Sequence, residues 1–330
     1  MEVHDESKAP ALREAAAPEA LAVSAILVNY RSARETLEAV SSLLETAGDL
    51  PLQVLVVENQ SGGSDREILE KELPNEAELL PSPENLGFAG GITLAVPKVR
   101  GKYILLLNPD TRLLPGTLSA LVDFMEKQKD AGAVGPLLVG EDGRIQGGGR
   151  KLPTPGLLLG KELGFRTLEE EIPDPPRPFQ TGWVVGACML IRKEAYEEVG
   201  GMDTSYFLYF EETDLCRRLA AAGWGVWCHP LARCVHAHGT SSERTGEDLL
   251  GKDIARFFLP SQRRYLAKFH GKGAALAVEA ALWALALARW MKASLLGLFQ
   301  PAGKKTARAR LAQARAYWTL WRGGFERKGE

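Results

Sequence analysis

The stretch ILLLNPDTRL, residues 104–113, carries the strongest fold signal in the chain. Four apolar residues end at Leu107, and the turn-forming sequence Asn-Pro-Asp-Thr follows at once. A short apolar run bounded by turn residues is typical of a buried strand, and Pro109 cannot donate a hydrogen bond to a sheet ladder. The sequence therefore predicts a buried strand that stops at Pro109 and leaves a carboxylate, Asp110, at its tip.

Strand-like and helix-like segments alternate on both sides of this stretch. Strands are predicted at 24–30, from 52, at 77–81, at 102–108 and at 131–139, and helices at 32–45, 65–73, within 85–99 and at 115–128. Apolar strands separated by helices form a mostly parallel sheet with both faces covered. The fold class predicted for this part of the chain is therefore α/β.

Polar clusters follow three of these strands. They are Asn29-Tyr30, Glu58-Asn59-Gln60-Ser61 and Asn108-Pro109-Asp110. In open α/β sheets, ligands bind beyond the carboxyl ends of the strands, so the three clusters are expected to converge on one site. The alternative for each cluster is a turn with capping side chains and no ligand.

The pattern changes after residue 150. Residues 151–180 are rich in Pro and Gly and predict a long loop of the kind that forms lids or binding loops. A strand and a helix follow over 182–201, then an aromatic approach to an acidic helix over 206–224. Residues 225–242 predict one or two strands and contain three of the five histidines.

Charge is distributed unevenly along the chain. Residues 1–251 hold 24 Lys and Arg against 38 Asp and Glu, whereas residues 252–330 hold 16 against 4. A basic C-terminal region suggests an anionic partner, either nucleic acid or a lipid surface. The first residues lack the apolar segment of a secretory signal and predict a mobile leader. Four cysteines without CxxC spacing predict free thiols in a reducing cytosol and argue against a zinc site.

Three groups of residues could carry chemistry. Asp110 with His236 or His238 could hold Mg²⁺ or Mn²⁺, although each histidine could equally be a surface residue. The segment FEETDL crowds Glu211, Glu212 and Asp214 into the first turn of a helix. One of them could simply cap the helix, but the aromatic residues before them could raise a carboxylate pKa towards that of a general base. The Gly-rich turn at 85–91 could bring backbone close to an anion.

Eight segments in order resemble the family-two inverting glycosyltransferases of the GT-A fold, and especially the rhamnosyltransferase-like bacterial members that build cell-surface polysaccharides. They span about residues 24–270 and read ILVNYRSARETLEAVSSL, VVENQSGGSD, ENLGFAGG, LLLNPDTRL, GWVVGACMLIRKEAYEEVGGMD, YFLYFEETDLCRRL, HAHGTSS and RRYLAKFHG. The resemblance implies a nucleotide-binding, mixed but mostly parallel sheet with helices on both faces, and a helical C-terminal extension.

The resemblance also implies roles for individual residues. Asp110 would hold the cation that bridges a sugar nucleotide's diphosphate, with His236 as a second metal or diphosphate contact. Glu212 would occupy the general-base position. The nucleotide-sugar pocket would be lined by Asn29, Tyr30, Glu58, Asn85, Gly87, Asn108 and Asp110, and the acceptor side by Trp183, Gly186 and His238.

Three positions depart from the family pattern. Glu58 stands where Asp is usual, Thr93 where Asn is common, and Glu212 where the base is usually Asp. The extra methylene at position 212 leaves open whether Glu212, Glu211 or Asp214 takes the proton.

The implied function is metal-dependent transfer of a sugar from a nucleoside-diphosphate donor, dTDP- or UDP-linked, to a hydroxyl of a glycan or lipid-linked glycan. The sugar could be a deoxysugar such as rhamnose. Alternatives are a nucleotidyltransferase, which would carry a Gly-rich basic loop after the first strand, and a non-catalytic sugar-binding relative. The absence of GxGxxG after that strand argues against a dinucleotide-dependent oxidoreductase. No nucleic-acid motif accompanies the basic residues, so nucleic acid is not expected as a partner.

The expected organisation is a leader over 1–22, a catalytic domain over 23–245 and a basic helical extension over 246–330. Within the catalytic domain, about 23–135 would bind the nucleotide sugar and about 136–245 the acceptor. The apolar segment 274–299 is interrupted by charges, and its charge-free runs are too short to span a bilayer. Residues 274–330 could lie on an anionic membrane or pack on the catalytic domain or a second subunit. The expected location is the cytoplasm, with peripheral attachment to the inner face of the membrane as one form of it.

Overall fold

The computed structural model describes residues 21–237 and 257–297. The strands in these ranges are β1 Val23–Asn29, β2 Leu52–Glu58, β3 Ala77–Pro81, β4 Tyr103–Leu107, β5 Thr111–Leu113, β6 Ala131–Val139, β7 Ile145–Gly147, β8 Gly149–Arg150, β9 Phe179–Gln180, β10 Trp183–Val184, β11 Cys188–Arg192 and β12 Gly225–His236. The helices are α1 Ala33–Ala47, α2 Asp65–Glu72, α3 Gly87–Ala95, α4 Thr117–Lys127, α5 Pro155–Glu162, α6 Lys193–Glu198, α7 Glu211–Ala221, α8 Leu259–His270 and α9 Lys272–Gly297.

The main sheet is mixed, and its central strands run in the order β3-β2-β1-β4-β11-β6-β12-β5. The first four strands in this order are parallel to one another, and β11 runs antiparallel to both β4 and β6. Asn29 pairs with Glu58, and Leu27 pairs with Leu107. The carboxyl ends of β1, β2 and β4 therefore share one edge of the sheet, as the sequence predicts.

Helices cover both faces of this sheet. On one face, Leu105 of β4 belongs to the same apolar cluster as Leu43 of α1 and Leu121 of α4. On the other face, Leu106 clusters with Ile92 of α3 and other buried residues. Because β4 is buried on both sides, all five of its residues are apolar or aromatic. This arrangement confirms the predicted α/β fold class.

The prediction of a long loop over 151–180 is wrong over part of its length, because the segment contains α5. Thr154 caps this helix, since its Oγ1 accepts a hydrogen bond from the backbone N–H of Leu157 at 3.2 Å. Pro155 occupies the first helical position, where its missing N–H does no harm. The Thr-Pro pair was therefore a helix-start signal within a composition that otherwise favours a loop.

The helices α8 and α9 pack on the α/β part of the chain. Ser261 of α8 donates a hydrogen bond to the carbonyl of Leu208 at 2.9 Å. Arg289 of α9 forms an ion pair with Glu162 of α5 at 2.7 Å. Of the two arrangements considered for the C-terminal region, packing on the catalytic domain is therefore present for its described part. Residues 1–20, 298–330 and 238–256, which include His238, lie outside the described ranges.

Within the described ranges, one helix is long and apolar enough to cross a membrane by length and composition. It covers Lys272–Lys292 and has a mean hydropathy of 1.4, and 28% of its most apolar 18-residue stretch is buried inside the protein. The sequence expectation rested on the charges inside this segment, and two of them are paired within the structure. Glu279 forms an ion pair with Arg263 of α8 at 2.7 Å, and Arg289 is bound to α5. The four cysteines are free, as expected, and the structure shows that all four are buried.

Candidate active site

The ends of β1 and β2 are held together by a buried hydrogen-bond network. Asn29 is fully buried, and its side-chain oxygen accepts from the Thr36 hydroxyl at 2.8 Å. Its amide nitrogen donates to the Ser61 hydroxyl at 3.0 Å. Because both ends of the amide have internal partners, Asn29 fixes the geometry of the strand ends.

The last residue of β2, Glu58, brings a carboxylate to this edge. Glu58 is buried, and its Oε1 accepts a hydrogen bond from the Ser61 backbone N–H at 2.7 Å. The Ser61 hydroxyl also accepts from the backbone N–H of Arg31 at 3.0 Å. Tyr30 is exposed, and the guanidinium of Arg31, which is also exposed, lies 5.1 Å from its ring centre. An exposed ring at the carboxyl edge of a parallel sheet is available to stack on a ligand.

The Gly-rich turn before α3 is organised by Asn59, a residue that was not among the predicted site residues. Its side-chain oxygen accepts from the Leu86 backbone N–H at 3.0 Å, and its amide nitrogen donates to Asn85 Oδ1 at 3.0 Å. Asn85 Oδ1 also accepts from the Gly87 N–H at 3.0 Å. Both amides are therefore engaged within the protein.

The backbone of Gly87 packs closely against the backbone of Phe207. It has a φ of +70°, and a Cβ at this position would lie 2.1 Å from the carbonyl oxygen of Phe207. The neighbouring Phe88 N–H donates to that same oxygen at 2.9 Å. The glycine therefore lets the turn pack tightly against the loop that precedes α7.

The predicted metal contacts lie next to each other. After β4 the chain turns through Asp110 into β5, and β5 pairs antiparallel with β12 so that Thr111 lies opposite His236. His236 Nε2 is 3.5 Å from Asp110 Oδ1, and both side chains are partly exposed. A carboxylate suits Mg²⁺ and Mn²⁺, and neutral imidazole is a common metal ligand. The donor pair therefore fits a divalent cation.

This pair would need further ligands. Residues 21–237 and 257–297 contain no group of three or more His, Cys, Asp and Glu that could hold a metal ion. Mg²⁺ and similar cations in phosphate-handling sites commonly take one or two carboxylates and fill the remaining positions with phosphate oxygens and water. The arrangement suits a cation that is bound together with a phosphorylated ligand.

A cavity of about 440 Å³ is lined by residues from the edge of the sheet and from α5, α7, α8 and α9. It lies beyond the carboxyl end of β4, where the sheet's parallel strands terminate. The predicted site residues that line it are Asn108, Trp183, Gly186, Glu211, Glu212 and His236. The structure therefore brings a predicted metal contact, two base candidates and two acceptor-side residues to a single space.

Glu212 lies in the wall of this cavity with one carboxylate oxygen available. Burial raises the pKa of Glu212, against the lowering effects of the Gly186 backbone N–H and the Arg150 charge. Its Oε2 is buried and has no hydrogen-bond partner within the described structure. A carboxylate with a raised pKa and a free oxygen is suited to accept a proton.

Glu211 is more deeply placed. Burial raises its pKa well above the usual range, and the adjacent charge of Glu212 raises it further. The backbone before the pair is in the left-handed region, with φ of +71° at Tyr209 and +70° at Phe210. Residues other than glycine seldom adopt this conformation, and such strain is concentrated at functional sites. The strained turn directs both carboxylates into the cavity.

Asp214 lies outside the cavity, which corrects its candidacy as the base. Its side chain is fully buried and forms ion pairs with Arg218 at 2.5 Å and with Lys268 at 2.6 Å. The Tyr206 hydroxyl donates a further hydrogen bond to Asp214 at 3.2 Å. Side chains two positions apart on a helix face different directions. Asp214 therefore anchors α7 while Glu212 faces the cavity.

Trp183 forms part of the cavity wall in a fixed orientation. Its indole N–H donates to the Lys151 carbonyl at 3.1 Å, and the Arg150 guanidinium lies 5.2 Å from its ring centre. Arg150 also pairs with Glu169 at 3.0 Å. An oriented aromatic wall with a cation beside it suits a sugar phosphate.

Comparison with known proteins identifies the family of this chain. Residues 24–200 match the family model described as glycosyl transferase family 2. The chain belongs to glycosyl transferase family 2. It is a glycosyltransferase, and the predicted family membership is confirmed.

Two curated relatives are rhamnosyltransferases. The glycosyltransferase is 30% identical over 234 residues to N-acetylglucosaminyl-diphospho-decaprenol L-rhamnosyltransferase of Mycobacterium tuberculosis, covering 63% of this chain and 74% of that protein. It is 29% identical over 194 residues to rhamnosyltransferase WbbL of Escherichia coli, covering 55% of this chain and 70% of that protein.

Solved structures share the fold at low identity. Mannosyltransferase PcManGT from Pyrobaculum calidifontis, in complex with GDP-Man and Mn²⁺, matches 91% of this chain and 87% of its own, with a TM-score of 0.54 and 17% identity. GalNAc-T7 with UDP, GalNAc and Mn²⁺ matches 67% of this chain, with a TM-score of 0.53 and 16% identity. The match spans 44% of the GalNAc-T7 chain. These likenesses support the GT-A-like architecture of the glycosyltransferase.

Several residues that shape this site were missed by reasoning from the sequence. Asn59 and Ser61 were visible only as members of a turn cluster, and nothing in the sequence shows which of its side chains face inward. Arg150 follows three glycines at the edge of the presumed loop. Lys268 lies 54 positions after Asp214 in the sequence, so only the tertiary structure reveals their ion pair.

Proposed function

We propose that the glycosyltransferase moves a sugar from a nucleoside-diphosphate donor to a hydroxyl of a glycan or lipid-linked glycan, with inversion at the anomeric carbon. The observation that carries this proposal is the position of Glu212. Its carboxylate has a pKa raised by burial and an oxygen without a partner, in the same cavity as Asn108 and His236.

Donor binding is assigned to the carboxyl edge of the sheet. Tyr30 is exposed there and could stack on the base, and Asn108 lines the cavity. Asn29, Glu58, Asn85 and Gly87 hold the strand ends and turns in place through the contacts described above. Asp110 and His236 would hold Mn²⁺ or Mg²⁺, which supplies charge neutralisation at the leaving diphosphate when bound.

The proposed reaction is one displacement. Glu212 accepts the proton of the acceptor hydroxyl, whose oxygen attacks the anomeric carbon. The bond between that carbon and the diphosphate oxygen breaks, and its electron pair leaves with the nucleoside diphosphate. A single in-line attack inverts the configuration and requires one base, whereas a retaining glycosidase needs a pair of carboxylates.

The names of the relatives support a finer assignment. Both are rhamnosyltransferases, and the mycobacterial protein's name describes a decaprenol-linked acceptor. We therefore assign a dTDP-linked deoxysugar as the donor and a lipid-linked glycan as the acceptor, with a role in cell-surface polysaccharide synthesis at the cytoplasmic face of the membrane. The proposed domain division is a catalytic domain over 23–245, followed by a helical extension over 246–330.

A screen of sugar nucleotides tests this proposal. The purified protein is incubated with dTDP-, UDP- and GDP-linked sugars, with and without Mn²⁺, and release of nucleoside diphosphate is measured. Release from one donor class that depends on Mn²⁺ is expected. Asp110→Asn should remove the Mn²⁺-dependent binding of nucleoside diphosphate while circular dichroism and the melting temperature stay close to wild type. No release from any donor, or equal binding by Asp110→Asn, would overturn the assignment.

A further inference from the structure

The cavity has a second end with a different chemistry. At the first end lie the carboxylates, Asn108 and His236, which the proposed function uses. The second end is apolar and is formed by α5, α9 and the segments next to them. Its aliphatic and aromatic lining residues are Leu158, Leu168, Leu208, Phe258 and Leu282.

Two cationic side chains, Arg150 and Lys161, also line the cavity. Lys161 is exposed and lines the cavity on α5. Arg150 lines it beside Trp183. The charge of Arg150 lies close enough to Glu212 to oppose the rise that burial causes in that residue's pKa. Glu162 also lines the cavity, but its carboxylate is bound to Arg289. The positive charges suit an anionic group such as a phosphate.

The helix α9 is apolar on two opposite faces. Its inner face contributes Leu282 to the cavity. Its outer face exposes Leu276 and Met291, which are 40% and 52% exposed. The charges between these two residues, Glu279 and Arg289, form ion pairs with α8 and α5. A helix that is apolar all round is at home in a core or in a membrane rather than at a water-exposed surface.

We propose that the apolar end of the cavity binds the hydrocarbon chain of a lipid-linked acceptor, which reaches it from a bilayer lying against the outer face of α9. The proposal rests on the proposed function, because it orients the acceptor sugar towards Glu212. Lys161 and Arg150 bind the phosphate that joins the chain to the sugar. The basic region at 252–330, with 16 Lys and Arg against 4 Asp and Glu, matches an anionic bilayer. One helix diameter, about 10 Å, separates the outer face of α9 from the cavity.

Binding of prenyl diphosphates tests the proposal. Farnesyl diphosphate and inorganic diphosphate are titrated into the full-length protein with Mn²⁺ and saturating nucleoside diphosphate, so that the donor's diphosphate site is filled. Farnesyl diphosphate should bind at least about tenfold more tightly, because burial of several methylene groups is favourable. Equal affinity for the two ligands in the wild type would overturn the proposal.

Matched variants locate the site. Leu168→Gln places a polar group in the apolar end at a half-buried position, where it should leave the fold intact and remove most of the farnesyl advantage. Lys161→Glu should weaken both ligands. Leu276→Gln, on the outer face of α9, is the control and should keep the advantage in the absence of membranes. A farnesyl advantage that survives Leu168→Gln, or one that is lost in Leu276→Gln, would contradict the assignment.

Nucleotide binding separates this proposal from the one on which it rests. If nucleoside diphosphate binds with Mn²⁺ and a donor is hydrolysed, but farnesyl diphosphate has no advantage, the proposed function stands and the lipid site is wrong. If no donor is bound or hydrolysed, the proposed function itself fails.

Discussion

Glu211 and Glu212 are adjacent in sequence, yet their surroundings give them different properties. Glu212 receives the Gly186 N–H and lies near the charge of Arg150, and both interactions favour its ionised form. Burial and the charge of Glu212 oppose the ionisation of Glu211 and raise its pKa. The interactions with Gly186 and Arg150 favour Glu212 as the proposed base.

Replacing the base should separate binding from chemistry. Glu212→Gln keeps the size of the side chain and removes the proton acceptor, so the transfer rate at saturating donor should fall by about 10²–10⁴-fold while donor affinity is retained. Glu211→Gln is the matched control and should lose less activity. The measurements are the transfer rate and a donor titration for each variant. Near wild-type transfer in Glu212→Gln, with an inactive Glu211→Gln, would move the role to Glu211.

The buried carboxylates also predict how stability depends on pH. Because the folded-state pKa of Glu211 is raised, the folded protein holds this proton more tightly than the unfolded chain. The stability that this group contributes is present at low pH and is lost as pH rises from the unfolded pKa through the folded one. At low pH, the melting temperature of Glu211→Gln should therefore be close to that of the wild type. At pH 8, it should be higher than that of the wild type. A gap between the two melting temperatures that is the same at every pH would contradict the raised pKa.

Residue roles could be predicted from the sequence only where the backbone fixes them. Asp110 had to lie at the tip of a buried strand because Pro109 ends the ladder, and the structure has β4 ending at Leu107. Asp214 could not be assigned in the same way. Its partner Lys268 lies on α8, and only packing brings the two together.

At the scale of elements, the strongly apolar strands were predictable and the short or locally mixed elements were not. β1, β2 and β4 are apolar runs buried on both faces, which leaves little choice of structure. β5 has three residues and depends on pairing with β12, so no local pattern reveals it. This strand nevertheless determines the site, because its register holds Asp110 beside His236.

The contact between the Gly-rich turn and the loop before α7 predicts a second effect of mutation. Gly87→Ala should lower the free energy of unfolding by clearly more than the roughly 1–2 kcal/mol expected for forcing alanine to a positive φ, because its Cβ would collide with the Phe207 carbonyl. Gly62→Ala is the matched control, since Gly62 has a φ of +69° and no atom within 4 Å of the point that a Cβ would occupy. Chemical denaturation of both variants measures the difference. Equal losses would show that the turn and the loop are not tightly coupled.

At the scale of the whole molecule, the C-terminal helices link α7, which carries Glu211 and Glu212, to the rest of the chain. Lys268 of α8 binds both Asp214 and Asp203, and Arg217 of α7 lies 3.1 Å from His270. Tyr265 packs with Phe210, the residue immediately before Glu211. α8 therefore helps to hold the strained turn that directs the carboxylates into the cavity. The described part of the extension belongs structurally to the catalytic unit.

Two truncations should separate the contributions of the tail and of α9 to membrane binding. Removal of residues 298–330 deletes eight of the basic residues and leaves α9 in place. At about 1 kcal/mol per Lys or Arg near an anionic surface, binding to phosphatidylglycerol vesicles should weaken strongly at low salt. Donor hydrolysis should change little, because the cavity residues remain.

Truncation after 270 also removes Leu282 and the outer face of α9, so the binding that persists at high salt should disappear as well. Vesicle sedimentation across a salt series separates the two contributions to membrane binding. Salt screens the attraction between the basic residues and the anionic lipids, and it leaves the burial of apolar side chains. Equal vesicle binding by all three proteins would show that these helices serve only to pack on the catalytic domain.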